Sequence, residues 1–426
     1  MSTRTLQQME KVATQQASNV ALAQSIRQSN TAKNTFNPIR NIVEKIKITP
    51  NPQKKMITLT IGDPTRSGCF TVPHFINDRI HSNLDAFTYN GYEASTGIVT
   101  AREAVAQKCS VDNYPVGVQD VLLASGCSQA LDLAIAAVAN PGGDVVLLPR
   151  PGFPLYRTIC DSRGISTRYY DLDPSKDWEV NLEHLKSLFD SSVKLLLVSS
   201  PGNPTGAVYS RQHLKEILRV AEEFKVPILS DEVYAHMAFR PFQYYSMASL
   251  SSTVPIIEVG GLAKRFMVPG WRLGWIVIHD RLESLSEIRE GLHNLSQIIL
   301  GPSTLIQSVV APLLYETPES YFKETLESLQ QRADTVVEAL HDIPGLKVLS
   351  PQGAMYCMVQ IDPSKLGCKD DVIFTQKLLE EESVFVLPGQ CFQIPNFFRI
   401  VTANSIPSLK EACHRIRLFC EKHHQK

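Results

Sequence analysis

The feature that most limits the fold is a rhythm between residues 99 and 280, where short apolar runs alternate with amphipathic segments. "DVLLASG", "DVVLLP", "STRYYDL", "VKLLLVSSP" and "VPILSDEVY" are strand-sized. "GIVTAREAVAQKC" precedes the first of them. "SQALDLAIAAVA", "GFPLYRTICDSRG", "NLEHLKSLF" and "RQHLKEILRVAEEF" separate them, with apolar residues at helical spacing. Near-continuous apolar strands must be covered on both faces, so the pattern predicts an α/β fold with a mainly parallel central sheet flanked by helices. "RLGWIVIHD" supplies a further strand. Beyond Glu283 the chain turns helical, with a long amphipathic segment near 318–342. Then "GLKVLSP", "MYCMVQI", "SVFVLPG" and "FFRIVTA" read as strands, with helices at about 371–382 and 406–424. This predicts a smaller α+β domain, which the strand-like "MITLTIGDP" can join. The expected division is a flexible extension over 1–34, an arm and part of the small domain over 35–70, a large domain over 71–317, and a small domain over 318–426.

Composition narrows the functional classes. A net charge of −1 gives no electrostatic reason to expect nucleic acid, whose phosphates demand a basic surface. No apolar run approaches the roughly 20 residues of a membrane helix. Nine cysteines, an odd number without CxxC pairs, fit reduced thiols in a reducing compartment, which makes the cytoplasm the expected location. Residues 1–34 are rich in Gln, Ser, Thr and Asn, which suits a disordered extension; a mitochondrial targeting peptide is the weaker alternative. The eleven histidines show no ligand-like spacing, so no metal site is expected.

In open α/β sheets, ligands bind beyond the carboxyl ends of the strands. Four groups of polar residues stand at such ends. In "ASGCSQALD", a glycine turn leads to Ser128 at the start of a helix, where free amides and a hydroxyl can cradle phosphate. Taken alone, Ser128 is equally an ordinary helix cap. In "SSPGNPTG", Asn203 follows a strand, a position where Asn often serves only the backbone. In "ILSDEVYAHM", Asp231 ends a strand and Tyr234 follows; a carboxylate so placed needs a partner. In "EVGGLAKRFMVPGWRLGW", Lys264 and Arg272 occupy an apolar, glycine-rich passage, which calls for an anionic partner. A lysine for an aldehyde, a carboxylate for a pyridine nitrogen, donors for a phenolic oxygen and cations for a phosphate are together the demands of pyridoxal 5′-phosphate. GxGxxG and GxxxxGK[ST] are absent, so the usual support for a dinucleotide or P-loop site is missing.

The ordered set "SGCSQAL", "PRPGFPLY", "PGNPTG", "SDEVY", "GGLAKRF", "PGWRLGW" and "FFRIV" resembles the fold-type I, class I aminotransferases, from about residue 35 to the C-terminus. "FNPIRNIVEKI", "NGYEASTG", "NLSQIILGP" and "GAMY" are similar to the branch of that family that acts on aromatic amino acids. The resemblance implies a pyridoxal 5′-phosphate enzyme that moves the amino group of tyrosine to 2-oxoglutarate. It implies that Lys264 takes the cofactor's aldehyde and later moves the substrate proton, and that Asp231 holds the pyridine nitrogen. Asn203 and Tyr234 are implied at the phenolic oxygen and Phe153 on the ring face. Ser128, Arg272 and the amides of Gly126 and Cys127 are implied at the phosphate. Tyr92 is implied to reach the phosphate of a neighbouring subunit, which makes a homodimer with shared sites the expected assembly. Arg399 is implied at the substrate α-carboxylate, with a backbone contact from Gly62; Arg40 either closes over the substrate or meets a distal carboxylate, or else lies at the surface. One departure is Gly261, where many relatives carry a phosphate-binding Ser or Thr. A broad-specificity transaminase, a carbon–sulfur lyase using the same lysine and aspartate, and a binding protein reusing the fold remain as alternatives.

Overall fold

The computed structural model describes residues 5, 8–12, 27–46, 49–112 and 114–424. The extension expected over 1–34 lies largely outside them; within it, Asn30–Asn34 forms a helical turn beside the helix Leu155–Arg163, capped by the Ser29 hydroxyl.

The apolar runs assemble into one eight-stranded sheet. Its order is Val121–Ala124, Gly274–His279, Ile256–Gly261, Ile228–Asp231, Val193–Ser199, Val145–Arg150, Ser166–Asp173 and Glu179–Val180. All run parallel except Gly274–His279 and the edge strand Glu179–Val180. Leu195, Leu196, Leu197 and Val198 are all buried, because consecutive side chains of a strand point to opposite faces and both faces here carry helices. Val145, Leu147, Leu196 and Val198 pack against the helix Arg211–Phe224 on one face. Val146, Leu148, Leu195 and Leu197 pack against Cys127–Val138 and Leu155–Arg163 on the other. Arg211–Phe224 shows why the sequence folds so locally. Leu214, Ile217, Leu218 and Ala221 make a buried stripe, and Ser210 caps the first turn by accepting from the His213 amide.

A second, antiparallel sheet runs Leu346–Leu349, Tyr356–Ile361, Phe397–Val401 and Leu387–Pro388. Asp371–Glu382, Ile406–His423 and the C-terminal part of Glu319–Leu340 cover one of its faces, around Phe374, Phe398 and Phe419. The strand character of "MITLTIGDP" appears as Ile57–Thr58, parallel to Val384–Phe385, and the Leu59 carbonyl accepts from Val401. The segment before the large sheet is thereby tied to the smaller one.

Candidate active site

The direction of each strand decides which side chains meet. Val121–Ala124, Val193–Ser199, Ile228–Asp231 and Ile256–Gly261 end at the same edge of the large sheet, where they bring Gly126, Asn203, Asp231 and Lys264. Gly274–His279 runs the opposite way, so Arg272, just before its start, reaches that edge too. A cavity of about 730 Å³ opens there, closed from the other side by the small sheet and the segment 39–66. Of the residues expected at a site, all but Gly126 and Tyr92 line this cavity.

Asp231 is buried on the cavity floor. Its Oδ2 accepts from the Tyr156 hydroxyl at 2.6 Å; its Oδ1 accepts from the Val233 amide at 3.2 Å and the Cys127 thiol at 3.7 Å. Burial raises the Asp231 pKa above the usual carboxylate value, and these three donors and the Lys264 charge oppose the rise. Burial and the Asp231 charge push the Tyr156 phenol and Cys127 thiol well up, so both remain proton donors. The half-buried Lys264 donates from Nζ to the Gly62 carbonyl at 2.5 Å.

At the rear, Arg399 of the small sheet is fully enclosed. Its Nη1 donates to Asn203 Oδ1 at 2.8 Å and its Nη2 to the Thr60 carbonyl at 2.6 Å. The guanidinium lies between the rings of Tyr356 and Phe392, 4.5 and 4.7 Å from their centroids. Burial lowers its pKa, yet an arginine stays charged. Its Nε is buried with no hydrogen-bond partner among the described residues, a donor held ready for an anion. Because Asn203 accepts through Oδ1, its NH₂ is left to donate elsewhere.

The corner at the helix Cys127–Val138 is built from absent side chains. Gly126 has φ 78°, and a Cβ there would stand 2.7 Å from Arg272 Nη2. A Cβ on Gly274 would meet the Cys127 amide nitrogen at 2.4 Å, and one on Gly261 the Leu273 carbonyl at 2.7 Å. The backbone is pressed together so that the first helix amides and the exposed Ser128 and Arg272 share one concave corner. Gly261 therefore leaves no room for the serine or threonine of other relatives. Phe153 lies on the cavity wall with its ring edge-on to Tyr156, centroids 5.6 Å apart.

The wall also carries the apolar Ile39, Val43, Met56, Phe385 and Leu387, interspersed with the charged Arg40, Glu44 and Arg66. Arg40 stands on the exposed side of the short helix Pro38–Val43. Tyr92 is 93% exposed and lies outside the cavity of its own chain. Two residues escaped the sequence reading. Tyr156 carried a signal, since "PLY" puts it one helical turn after Phe153. Tyr356 stood in "GAMY", a motif noted for its likeness but given no role.

Residues 54–416 match the family described as aminotransferase class I and II. The chain belongs to that family. Among its aminotransferase relatives, the tyrosine aminotransferase of Mus musculus is 47% identical over 94% of this chain and 88% of its own length. The crystal structure of a tyrosine aminotransferase from Leishmania infantum superposes with a TM-score of 0.90 at 32% identity, covering 94% of this chain and all of that one. An alanine aminotransferase from Pyrococcus furiosus superposes with a TM-score of 0.85 at 31% identity, covering 93% and 100%. This aminotransferase is thus a fold-type I transferase with a large, mostly parallel central sheet.

Proposed function

We propose that this aminotransferase uses pyridoxal 5′-phosphate to move the amino group of tyrosine, and of other aromatic amino acids, to 2-oxoglutarate, giving 4-hydroxyphenylpyruvate and glutamate. The observation that carries the reading is one cavity holding Lys264, the buried carboxylate of Asp231 and the unpartnered Nε of Arg399. Tyrosine as donor is supported by the 47% identity to a tyrosine aminotransferase and by the apolar side chains of Ile39, Val43, Met56, Phe385 and Leu387 on the cavity wall. The cofactor's fit is supported by the corner at Gly126, where a Cβ would fill the space beside Arg272 that a phosphate needs.

In this reading, Ser128, Arg272 and the Cys127 amide would hold the phosphate, whereas the expected Gly126 amide is already spent on the Ala124 carbonyl at 2.7 Å, and Phe153 would cover the ring. Asp231 holds its charge against burial through Tyr156, Val233 and Cys127, and so keeps the pyridine nitrogen protonated. The Asn203 NH₂ and the Tyr234 hydroxyl donate to the phenolic oxygen. Bound pyridoxal 5′-phosphate supplies an aldehyde to receive the amino group and a ring to take up the electrons released at Cα. Arg399 orients the α-carboxylate with two parallel donors, which fixes the Cα–H bond near Lys264. Lys264 Nζ would take the proton from Cα as a base and hold it for return as an acid. The aromatic side chain rests on Ile39, Val43, Met56, Phe385 and Leu387, away from water. Tyr92 completes the phosphate site of the second subunit in a homodimer, in the cytoplasm.

The test is a donor panel with tyrosine, alanine and cystine, each with 2-oxoglutarate, followed by identification of the products. Tyrosine should give the fastest turnover, with 4-hydroxyphenylpyruvate and parallel double-reciprocal lines. A faster reaction with alanine would favour the second reading, a broad-specificity transaminase, which the 0.85 TM-score to an alanine aminotransferase supports. Pyruvate and ammonia from cystine would mark a lyase.

A further inference from the structure

We infer that Tyr356 is a positioning residue that joins the two halves of the site, its hydroxyl directing the proton of Tyr234 and its ring bracing the guanidinium of Arg399. Tyr356 begins a strand of the small sheet, whereas Tyr234 follows a strand of the large one. Their hydroxyls meet at 2.6 Å, and both residues are buried. A single proton lies in that bond. If Tyr356 is its donor, the Tyr234 proton is free for the cavity that Tyr234 lines. A phenol that accepts one hydrogen bond is also a stronger donor in the next.

Two further contacts fix Tyr356. A Cβ on Gly62 would fall 2.3 Å from the Tyr356 hydroxyl, so the bare backbone of Gly62 is what admits that oxygen. The same glycine's carbonyl accepts from Lys264 Nζ. On its other side, the Tyr356 ring lies under the Arg399 guanidinium with 4.5 Å to the centroid, within reach of a cation–π attraction. Among the described residues, the charged or titratable groups near the two phenols include Arg399, Asp231, Lys264, whose Nζ is 5.9 Å from the Tyr234 ring centroid, and Cys69, which packs against the same cluster. Tyr356 thereby touches the partners of both the phenolic oxygen and the α-carboxylate.

The role divides between two substitutions. Both arms rest on the proposed function, the hydroxyl arm on its cofactor and the ring arm on the carboxylate role of Arg399 alone. In the holoenzyme, Tyr356→Phe should raise the pH midpoint of the cofactor's visible absorbance change by about half a unit, because Tyr234 becomes a weaker donor. It should leave the dissociation constant for the unreactive carboxylate 3-phenylpropionate within about two-fold of wild type. Tyr356→Leu should weaken 3-phenylpropionate about ten-fold, as the guanidinium loses its brace. Tyr170→Phe is the matched control: it removes an equally buried hydroxyl, bonded to the Leu197 carbonyl at 2.7 Å, and should move neither quantity. An unmoved midpoint in Tyr356→Phe, an unchanged carboxylate affinity in Tyr356→Leu, or equal shifts in Tyr170→Phe would each overturn the inference. A wild-type chain that gains no visible absorbance with pyridoxal 5′-phosphate would instead fail the proposed function, while the carboxylate measurement still judges the ring.

Discussion

The floor of the cavity and its rim are built in opposite ways. The floor, from Asp231 through Asn203 to Arg399, consists of buried groups whose donors and acceptors are largely paired by the protein itself. The rim at Pro38–Val43 is a short helix with no buried residue and carries Arg40 in solvent. A prepaired floor loses no orientation entropy when a ligand arrives, whereas a loose rim must be ordered by the ligand. The difference teaches that chemistry should depend steeply on the floor, and substrate choice only mildly on the rim.

Four substitutions put numbers on that contrast. Lys264→Ala should lower turnover at least about a thousand-fold, since no other side chain can carry the Cα proton, while thermal unfolding stays near wild type. Stopped-flow half-reactions measure it, and residual turnover within ten-fold of wild type would erase the distinction between floor and rim. Next, Arg399→Lys should raise the KM for tyrosine and for 2-oxoglutarate alike, by about 30- to 100-fold, because one point charge replaces two aligned donors. Arg40→Ala should change either KM by less than about five-fold, with any effect confined to the dicarboxylate. Steady-state kinetics on the pair decide the matter, and a larger loss at Arg40 would reverse the ranking. Finally, Gly261→Ser should destabilise the fold by about 1–3 kcal/mol, because its Cβ meets the Leu273 carbonyl. Denaturant unfolding would expose the opposite result, a stabilised protein that found room for the hydroxyl.

The same contrast explains what the sequence revealed. Strand runs such as "VKLLLVSSP" and amphipathic helices such as "RQHLKEILRVAEEF" were legible because burial on two faces or on one stripe leaves a period in the chain. Asp231, Asn203 and Lys264 were legible because polar groups at strand ends stand out from their neighbours. Tyr156 and Tyr356 were not, because a buried tyrosine looks like any core aromatic until its hydroxyl is seen to meet Asp231 or Tyr234. Arg399 came from likeness alone; nothing in "FFRIV" foretells that Tyr356, from another strand, and Phe392, from the 3-10 helix Gly389–Phe392, flank its guanidinium. The tie between Ile57–Thr58 and Val384–Phe385 spans more than 300 residues; that "MITLTIGDP" can join the small domain was readable beforehand, while its partner strand was not.

The glycine seam at 126, 261 and 274 has a consequence for how the protein can vary. With main chain touching main chain at Gly274 and Cys127, the corner has no interior dial. Any change in its hold on an anion must be dialled from outside, through the solvent-facing side chains of Ser128 and Arg272. Salt, crowding by a second subunit or a bound counter-ion would thus reach this grip directly, while substitutions deeper in the sheet would break the corner before they retuned it.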